Sequence, residues 1–201
     1  MSSTNNCTIL LKKMMAVAGL IWFVYLIFHL FSVLTFHAGE AAFNAFYIWF
    51  NSSWIYPVLL ALLGSTIVFH IYIAVTRQLA NNKSAGDIRY KKSYPKAVPR
   101  IVAWSGAALV FAFIVIHSVQ MLTIDIDTTN LYQQMQEIFS DPLMWVIYGL
   151  GMLAISAHLQ HGLSNVLQTL GICSCQFHKV AWLIVVIIMV GFASIPLSII
   201  L

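Results

Sequence analysis

Four histidines, His29, His70, His117 and His158, lie deep inside apolar stretches of the chain. An ionisable side chain at membrane depth is costly and is usually retained for a function. A neutral imidazole there can hydrogen-bond a neighbouring helix, or it can offer a ring nitrogen to a metal. Taken singly, each of the four is open to the first reading. As one histidine in each of four successive apolar segments, with matching depths, they point to the second.

Depth follows from helical rise and the direction in which the chain travels. At ~1.5 Å per residue, His29 lies roughly 22 Å and His117 roughly 28 Å from the basic edge of the membrane. On the same measure His70 lies roughly 9 Å and His158 roughly 15 Å from that edge. Two facing imidazoles at one level of a helical bundle are what a bis-histidine haem needs, with the iron between them. His29 with His117 and His70 with His158 would thus give two stacked b-type haems, an electron wire across the bilayer. Zinc would want three or four ligands converging at one depth, and the pattern offers two levels of two. Gly151, seven residues before His158, and Gly106, eleven before His117, lie nearly in line with the histidines and offer room beside the backbone. A glycine in a membrane helix equally serves helix–helix contact.

The elements that must carry these residues are five apolar segments, about 14–36, 54–76, 98–122, 143–168 and 178–201. Each has the ~20 residues needed to cross a hydrocarbon core. The chain is 201 residues long, 61% hydrophobic and 8% charged, with a mean hydropathy of +0.88. Soluble domains carry about a quarter charged residues, so this composition excludes an ordinary globular domain. The expectation is an all-α bundle of five transmembrane helices forming one domain over 1–201, with no soluble module, internal repeat or low-complexity tract. Two connections approach twenty residues: a basic one from Arg77 to Val98 and an acidic one from Thr123 to Pro142. The stretch after Lys12 and Lys13 is too long for a signal-peptide core and lacks a small-x-small cleavage pattern, so it reads as a retained first span.

Charge gives the expected topology. With five spans, every Lys and Arg falls on one face: Lys12, Lys13, Arg77, Lys83, Arg89, Lys91, Lys92, Lys96, Arg100 and Lys179. Glu40, Asp125, Asp127, Glu137 and Asp141 fall on the other, and Asp87 is the one acid on the basic face. The positive-inside rule then places the N-terminus in the cytoplasm and the C-terminus outside. The net charge of +4 is accounted for by topology and implies no nucleic-acid partner. No acid lies within a span, so there is no carboxylate relay through the membrane. Cys7, Cys173 and Cys175 are too few for a disulfide framework. Cys173, Cys175 and His178 make a C-x-C-x-x-H string without a fourth ligand nearby, and reduced cytoplasmic thiols are the better reading. His161, at i+3 from His158, can reach a haem propionate or a backbone carbonyl, while His37 and His178 sit at membrane interfaces.

The order of the four histidines over five helices, the run Gly39–Glu40–Ala41–Ala42–Phe43–Asn44 after His29, and the stretch Phe69–His70–Ile71–Tyr72–Ile73–Ala74 resemble a known family. So does His158 followed by Gly162–Leu163 and Gly171–Ile172. The chain resembles, over nearly its whole length, the dihaem cytochrome b membrane anchor of the Bacillus-type succinate:menaquinone oxidoreductases and related fumarate reductases. The resemblance implies His70 and His158 as ligands of the proximal haem and His29 and His117 as ligands of the distal haem. It implies partner subunits as well, a flavoprotein with FAD and an iron–sulfur protein, on which the dicarboxylate chemistry resides. It further implies a quinone, menaquinone by the family's habit, handled near the distal haem, and a place in the respiratory chain and the tricarboxylic acid cycle. The expected location is the cytoplasmic membrane of a prokaryote.

The basic loop suits contact with haem propionates, an acidic partner surface or anionic lipid, and Arg100, which opens a ligand-bearing helix, is the best propionate candidate. Glu40, Gln120 and Asp141 are candidate quinone or proton contacts at the outer ends, each also readable as an exposed loop residue. Where the family often has a basic pair followed by His or Ser, this chain has Lys12–Lys13 followed by Met14–Met15, which leaves the quinone site less defined than the haems. The alternatives are a dihaem cytochrome b serving a hydrogenase or formate dehydrogenase, and a non-redox polytopic protein whose histidines only bridge helices.

Overall fold

The computed structural model describes residues 2–83, 100–124, 130–169, 171 and 177–200. Among these there is no strand. The helices are α1 (Ser2–Leu34), α2 (Glu40–Ser52), α3 (Ile55–Lys83), α4 (Arg100–Leu122), α5 (Leu131–Ser140), α6 (Pro142–Thr169) and α7 (Phe177–Ile200), with a 3₁₀ turn at Thr35–Ala38. Five stretches are long and apolar enough to cross a membrane: Ile9–Ala38, Ile55–Arg77, Ser105–Leu122, Pro142–Val166 and Lys179–Ile200. The protein is an all-α, multi-pass membrane bundle.

Side-chain contacts fix the directions. Trp22 Nε1 donates to Thr66 Oγ1 at 3.2 Å and the Met15 carbonyl faces His70, so α1 and α3 run antiparallel. His117 meets Tyr148 while Gln120 meets Met144, which makes α4 and α6 antiparallel as well. Leu30 touches Gly191 and His37 touches Ser194, so α7 returns parallel to α1. Small residues let the backbones approach, as expected where lipid removes the usual apolar driving force. Ala16 and Ala18 of α1, Ala154 of α6 and Ala181 of α7 are all buried. A Cβ on Gly191 would stand 2.7 Å from Leu30 Cδ1, and one on Gly151 would run into the Phe113 ring. Gly151 therefore serves the α4–α6 contact, while a Cβ on Gly106 would meet nothing within 4 Å.

Two helices were not expected from the apolar pattern. Both sit at the end of the bundle where α1 finishes. Gly39, at φ 95°, takes a left-handed conformation that L side chains rarely adopt and turns the chain out of the 3₁₀ segment into α2. At α5 the Asn130 side chain accepts from Gln133 N at 3.2 Å, a side-chain cap for the first turn. The two helices close on each other around a compact apolar cluster. Phe36, Phe43, Leu131 and Ile195 form its buried centre, and Phe36 stacks on Tyr132 at 4.2 Å. A polar clasp locks it: Asn44 Nδ2 donates to Asn130 Oδ1 at 2.8 Å, Tyr132 N donates to Asn44 Oδ1 at 2.9 Å, and Asn130 Nδ2 donates to Glu40 Oε1. On its outward side α2 exposes Ile48 and Trp49, followed by Trp54, the kind of aromatic edge that sits at a membrane–water interface.

Candidate functional site

Each of the four spans α1, α3, α4 and α6 carries one of these histidines, and the rings meet in two pairs. His29 and His117 have ring centroids 5.7 Å apart at an interplanar angle of 53°. His70 and His158 are 6.3 Å apart at 71°. With metal–imidazole bonds of about 2 Å on opposite sides of one ion, ring centroids fall roughly 6 Å apart. Both pairs therefore have the spacing of two axial ligands.

The backbones are arranged to suit such a bridge. α1 packs closely on α3, α6 and α7, and α6 packs closely on α4. Among the described residues, the pairs that bear facing histidines, α1 with α4 and α3 with α6, are not closely packed. The imidazoles reach across the two wider gaps. Three of the rings are half-buried, and that of His158 is exposed. Glycine contributes at the inner pair, since a Cβ on Gly19 would already stand 3.6 Å from His70 Cε1.

Hydrogen bonds decide which ring nitrogen is available. His70 Nδ1 lies 3.3 Å from the Met15 carbonyl oxygen, which can only accept, so Nδ1 carries the proton and Nε2 keeps its lone pair. His117 Nδ1 lies 3.1 Å from the Tyr148 hydroxyl, whose proton is donated to Gln120 Oε1 at 2.8 Å. Gln120 Nε2 is turned to Met144 Sδ at 3.7 Å, which fixes the amide. Tyr148 must then accept from Nδ1–H, and His117 also presents Nε2. A histidine whose Nδ1–H is tied to an oxygen while Nε2 stays free is the arrangement found behind metal ligands, where the outer bond fixes the tautomer and raises basicity. Among the described residues, His29 and His158 make no hydrogen bond through either nitrogen.

The outer pair is further braced by rings. Tyr25 stacks on His29 at 5.7 Å and 5°, Phe113 stacks on His117 at 5.8 Å and 14°, and Phe192 flanks His29 at 5.6 Å. Tyr25 and Phe113 each precede their histidine by four residues, one turn along the same face. The two levels are well separated. Gly19 is at the level of His70 and His29 lies ten residues further on, or about 15 Å along the axis.

This donor set suits a planar macrocycle. Two neutral nitrogens per level leave the equatorial positions of a metal to be filled by the ligand itself, as a tetrapyrrole does. A tetrahedral zinc site needs more, and among the described residues no three His, Cys, Asp or Glu side chains gather in metal-binding geometry.

The other residues singled out by sequence are placed as follows. Gln120 belongs to the His117–Tyr148 chain. Glu40 is part of the Asn130 clasp, and Asp141 caps α6 by accepting from Leu143 N at 2.8 Å. His161 bonds Asn165 at 2.8 Å within α6, and His37 bonds Ser194 at 2.8 Å. Arg100 and His178 lie in the first turns of α4 and α7. Their side chains, the thiols of Cys173 and Cys175, and the loop 84–99 lie outside the described residues. Tyr148, Tyr25 and the Met15 carbonyl were not anticipated. Compared with protein-family models, curated proteins and solved structures, the chain matches none.

Proposed function

We propose that the chain is the dihaem cytochrome b membrane-anchor subunit of a succinate:quinone oxidoreductase or fumarate reductase. It would pass electrons between a cytoplasmic iron–sulfur subunit and membrane quinone. The observation that carries this reading is the presence of two imidazole pairs at two depths, one member of each committed through Nδ1 so that its Nε2 keeps a lone pair. His29 and His117 would hold the outer haem, and His70 and His158 the inner one. Each bound haem would supply a one-electron iron couple whose potential the axial ligands and their hydrogen bonds tune. The chain's part is to hold the rings in register, fix their tautomers and keep the crossing dry.

The choice of enzyme rests on the near full-length resemblance to the anchor subunits of that family. On this reading the flavoprotein and iron–sulfur subunits dock on the basic face, where Lys12, Lys13, Arg77 and Arg100 gather, in the cytoplasm of a prokaryote. A redox-titrated absorption spectrum of the purified complex, with a pyridine haemochrome assay, tests the assignment. Two b haems of separate potential are expected, one removed by His70→Ala and the other by His117→Ala. A chain with no haem, or one haem indifferent to both changes, would return the histidines to bridging helices. A co-purifying FAD subunit supports the enzyme named, and a nickel or molybdenum subunit supports a hydrogenase or formate dehydrogenase instead.

A further inference from the structure

α2 follows the end of a span, yet its contacts lead back along that span. Phe43 packs on Phe36 at 5.4 Å, the Tyr47 hydroxyl meets Ser32 Oγ at 3.1 Å, and Phe50 packs on Phe28 at 5.5 Å. Numbers rise along α2 as they fall along α1, so α2 runs back beside the helix it follows. All three α1 partners lie within the membrane-crossing stretch Ile9–Ala38, and Phe28 is eight residues, or about 12 Å, deeper than Phe36. Phe50 also meets Tyr56 of α3, so the last turn of α2 sits against two spans. With 13 residues α2 is too short to cross a bilayer, and an apolar helix of that length suits a re-entrant or interfacial segment.

A helix at this depth needs a surface that lipid accepts. α2 turns Phe43 and Tyr47 inward and leaves Ala41, Ala42, Ala45, Ile48, Trp49 and Ser52 exposed. Their spacing makes one continuous stripe that carries no charge, and Ser52 satisfies its hydroxyl on the Trp49 carbonyl at 3.1 Å. The one charge in α2, Glu40, stands at its first residue and is bonded to Asn130. α5, joined to α2 by the clasp, is the contrast: its exposed residues are Gln133, Gln136, Glu137 and Ser140, all polar. Two neighbouring helices thus present opposite surfaces, one suited to lipid and the other to water.

We infer that α2 is a re-entrant helix seated in the leaflet at this end of the bundle, with phospholipid covering its Ala45–Ile48–Trp49 face. Glu40 and the clasp stay at the aqueous edge, and Ile48 and Trp49 rest among the acyl chains just beneath the headgroups. Continuity argues for this occupant. The stripe leads through exposed Trp54 to exposed Ile55 and Val58, which belong to the next membrane-crossing stretch. Indole rings are common anchors at this level. The inference needs neither haem nor a partner subunit.

The test is nitroxide accessibility in the full chain, kept in the complex in which it purifies and placed in phosphatidylcholine nanodiscs. Cys7→Ser, Cys173→Ser and Cys175→Ser clear the background, and the label goes in turn on Ala41→Cys, Ala45→Cys, Ile48→Cys, Val68→Cys and Gln136→Cys. Access to oxygen relative to a polar nickel chelate should climb from position 41 through 45 to 48. Chelate access at 48 should match that at 68, an exposed position within a span. At 136 it should be roughly tenfold higher or more, the partition expected of a polar solute. High chelate access at 48 would overturn the proposal and put the stripe in water. Low access to both reagents there would overturn it too, showing a second copy or a partner subunit on the stripe. Where a label unfolds the chain, the unaltered complex is photolysed with a phospholipid bearing a diazirine midway along one acyl chain. Adducts are expected in 45–54 as in the span Ile55–Arg77, with none in 131–140; a span that is labelled while 45–54 is not would overturn the proposal.

Discussion

The Tyr148 hydroxyl accepts from His117 Nδ1 at 3.1 Å, and this single bond sets which ring nitrogen keeps its lone pair. Tyr148→Phe removes the acceptor and leaves the ring contact with Phe113 and Phe139 in place. On the dihaem proposal, His117 without the acceptor would be a less basic ligand, so the outer haem's reduction potential should rise. A neutral hydrogen bond of about 1 kcal/mol corresponds to roughly 40 mV for a one-electron couple. A redox titration should show the outer potential moved by that order and the inner one unmoved. Equal shifts of both would show a general loosening of the bundle.

Gly19 stands against His70, where a Cβ would be in ordinary contact and a longer side chain would meet the ring. Gly19→Leu should push the ring away from His158 and, on the dihaem proposal, lower inner-haem occupancy by more than half while the outer haem stays. Gly19→Ala, whose Cβ would sit at an ordinary contact distance of 3.6 Å, should keep both. Pyridine haemochrome per mole of chain, read with the two spectral components, separates these outcomes.

Asn130 bonds Glu40 and Asn44 and caps α5. Asn130→Ala should cost about 1–2 kcal/mol through the lost cap and the groups left unpaired. The effect should be local. Hydrogen exchange is expected to quicken in α2 and α5, with the histidine-bearing spans protected as before. Exchange that quickened across all seven helices would show that the clasp governs global stability.

Tyr47 lies outside the spans, and burial pushes its hydroxyl up from 10.0 to about 12, against the opposing effect of its bond to Ser32. A phenol with a raised folded value is neutral in the fold, so its contribution is fully present below about pH 10 and is lost as pH rises from there toward 12. Thermal unfolding should therefore show an alkaline decline in stability between those limits. Tyr47→Phe should flatten that decline while losing the Ser32 hydrogen bond at every pH.

The spans were legible in the sequence because length and apolarity suffice to define them, and the histidine depths followed from rise per residue alone. α2 and α5 were read as connection. α2 packs aromatic residues on both faces, and α5 is only ten residues long. The signal for α5 was nonetheless present: Asn130 as a cap, then Leu131, Met135 and Phe139 at i, i+4 and i+8. The stacks of Tyr25 on His29 and Phe113 on His117 could likewise be read from their i, i+4 spacing. Tyr148 could not. Its place against His117 depends on how α4 and α6 are rotated about their axes, which Phe113 lying over Gly151 sets. The bond of Glu40 to Asn130, ninety positions away, likewise depends on how α2 and α5 meet and could not be read from the sequence.

Both histidine pairs join a residue before position 71 to one after position 116. During synthesis the α1–α3 hairpin therefore enters the membrane with two solitary imidazoles, and neither has its mate until α4 and then α6 have followed. The outer clasp has the same schedule, since Glu40 and Asn44 await Asn130. On the dihaem proposal, cofactor capture would thus belong to the end of biogenesis. On the same proposal, a chain truncated after α3 would insert as a hairpin that could retain neither haem, and full-length chains made without haem would have two halves that meet with no ligand between them.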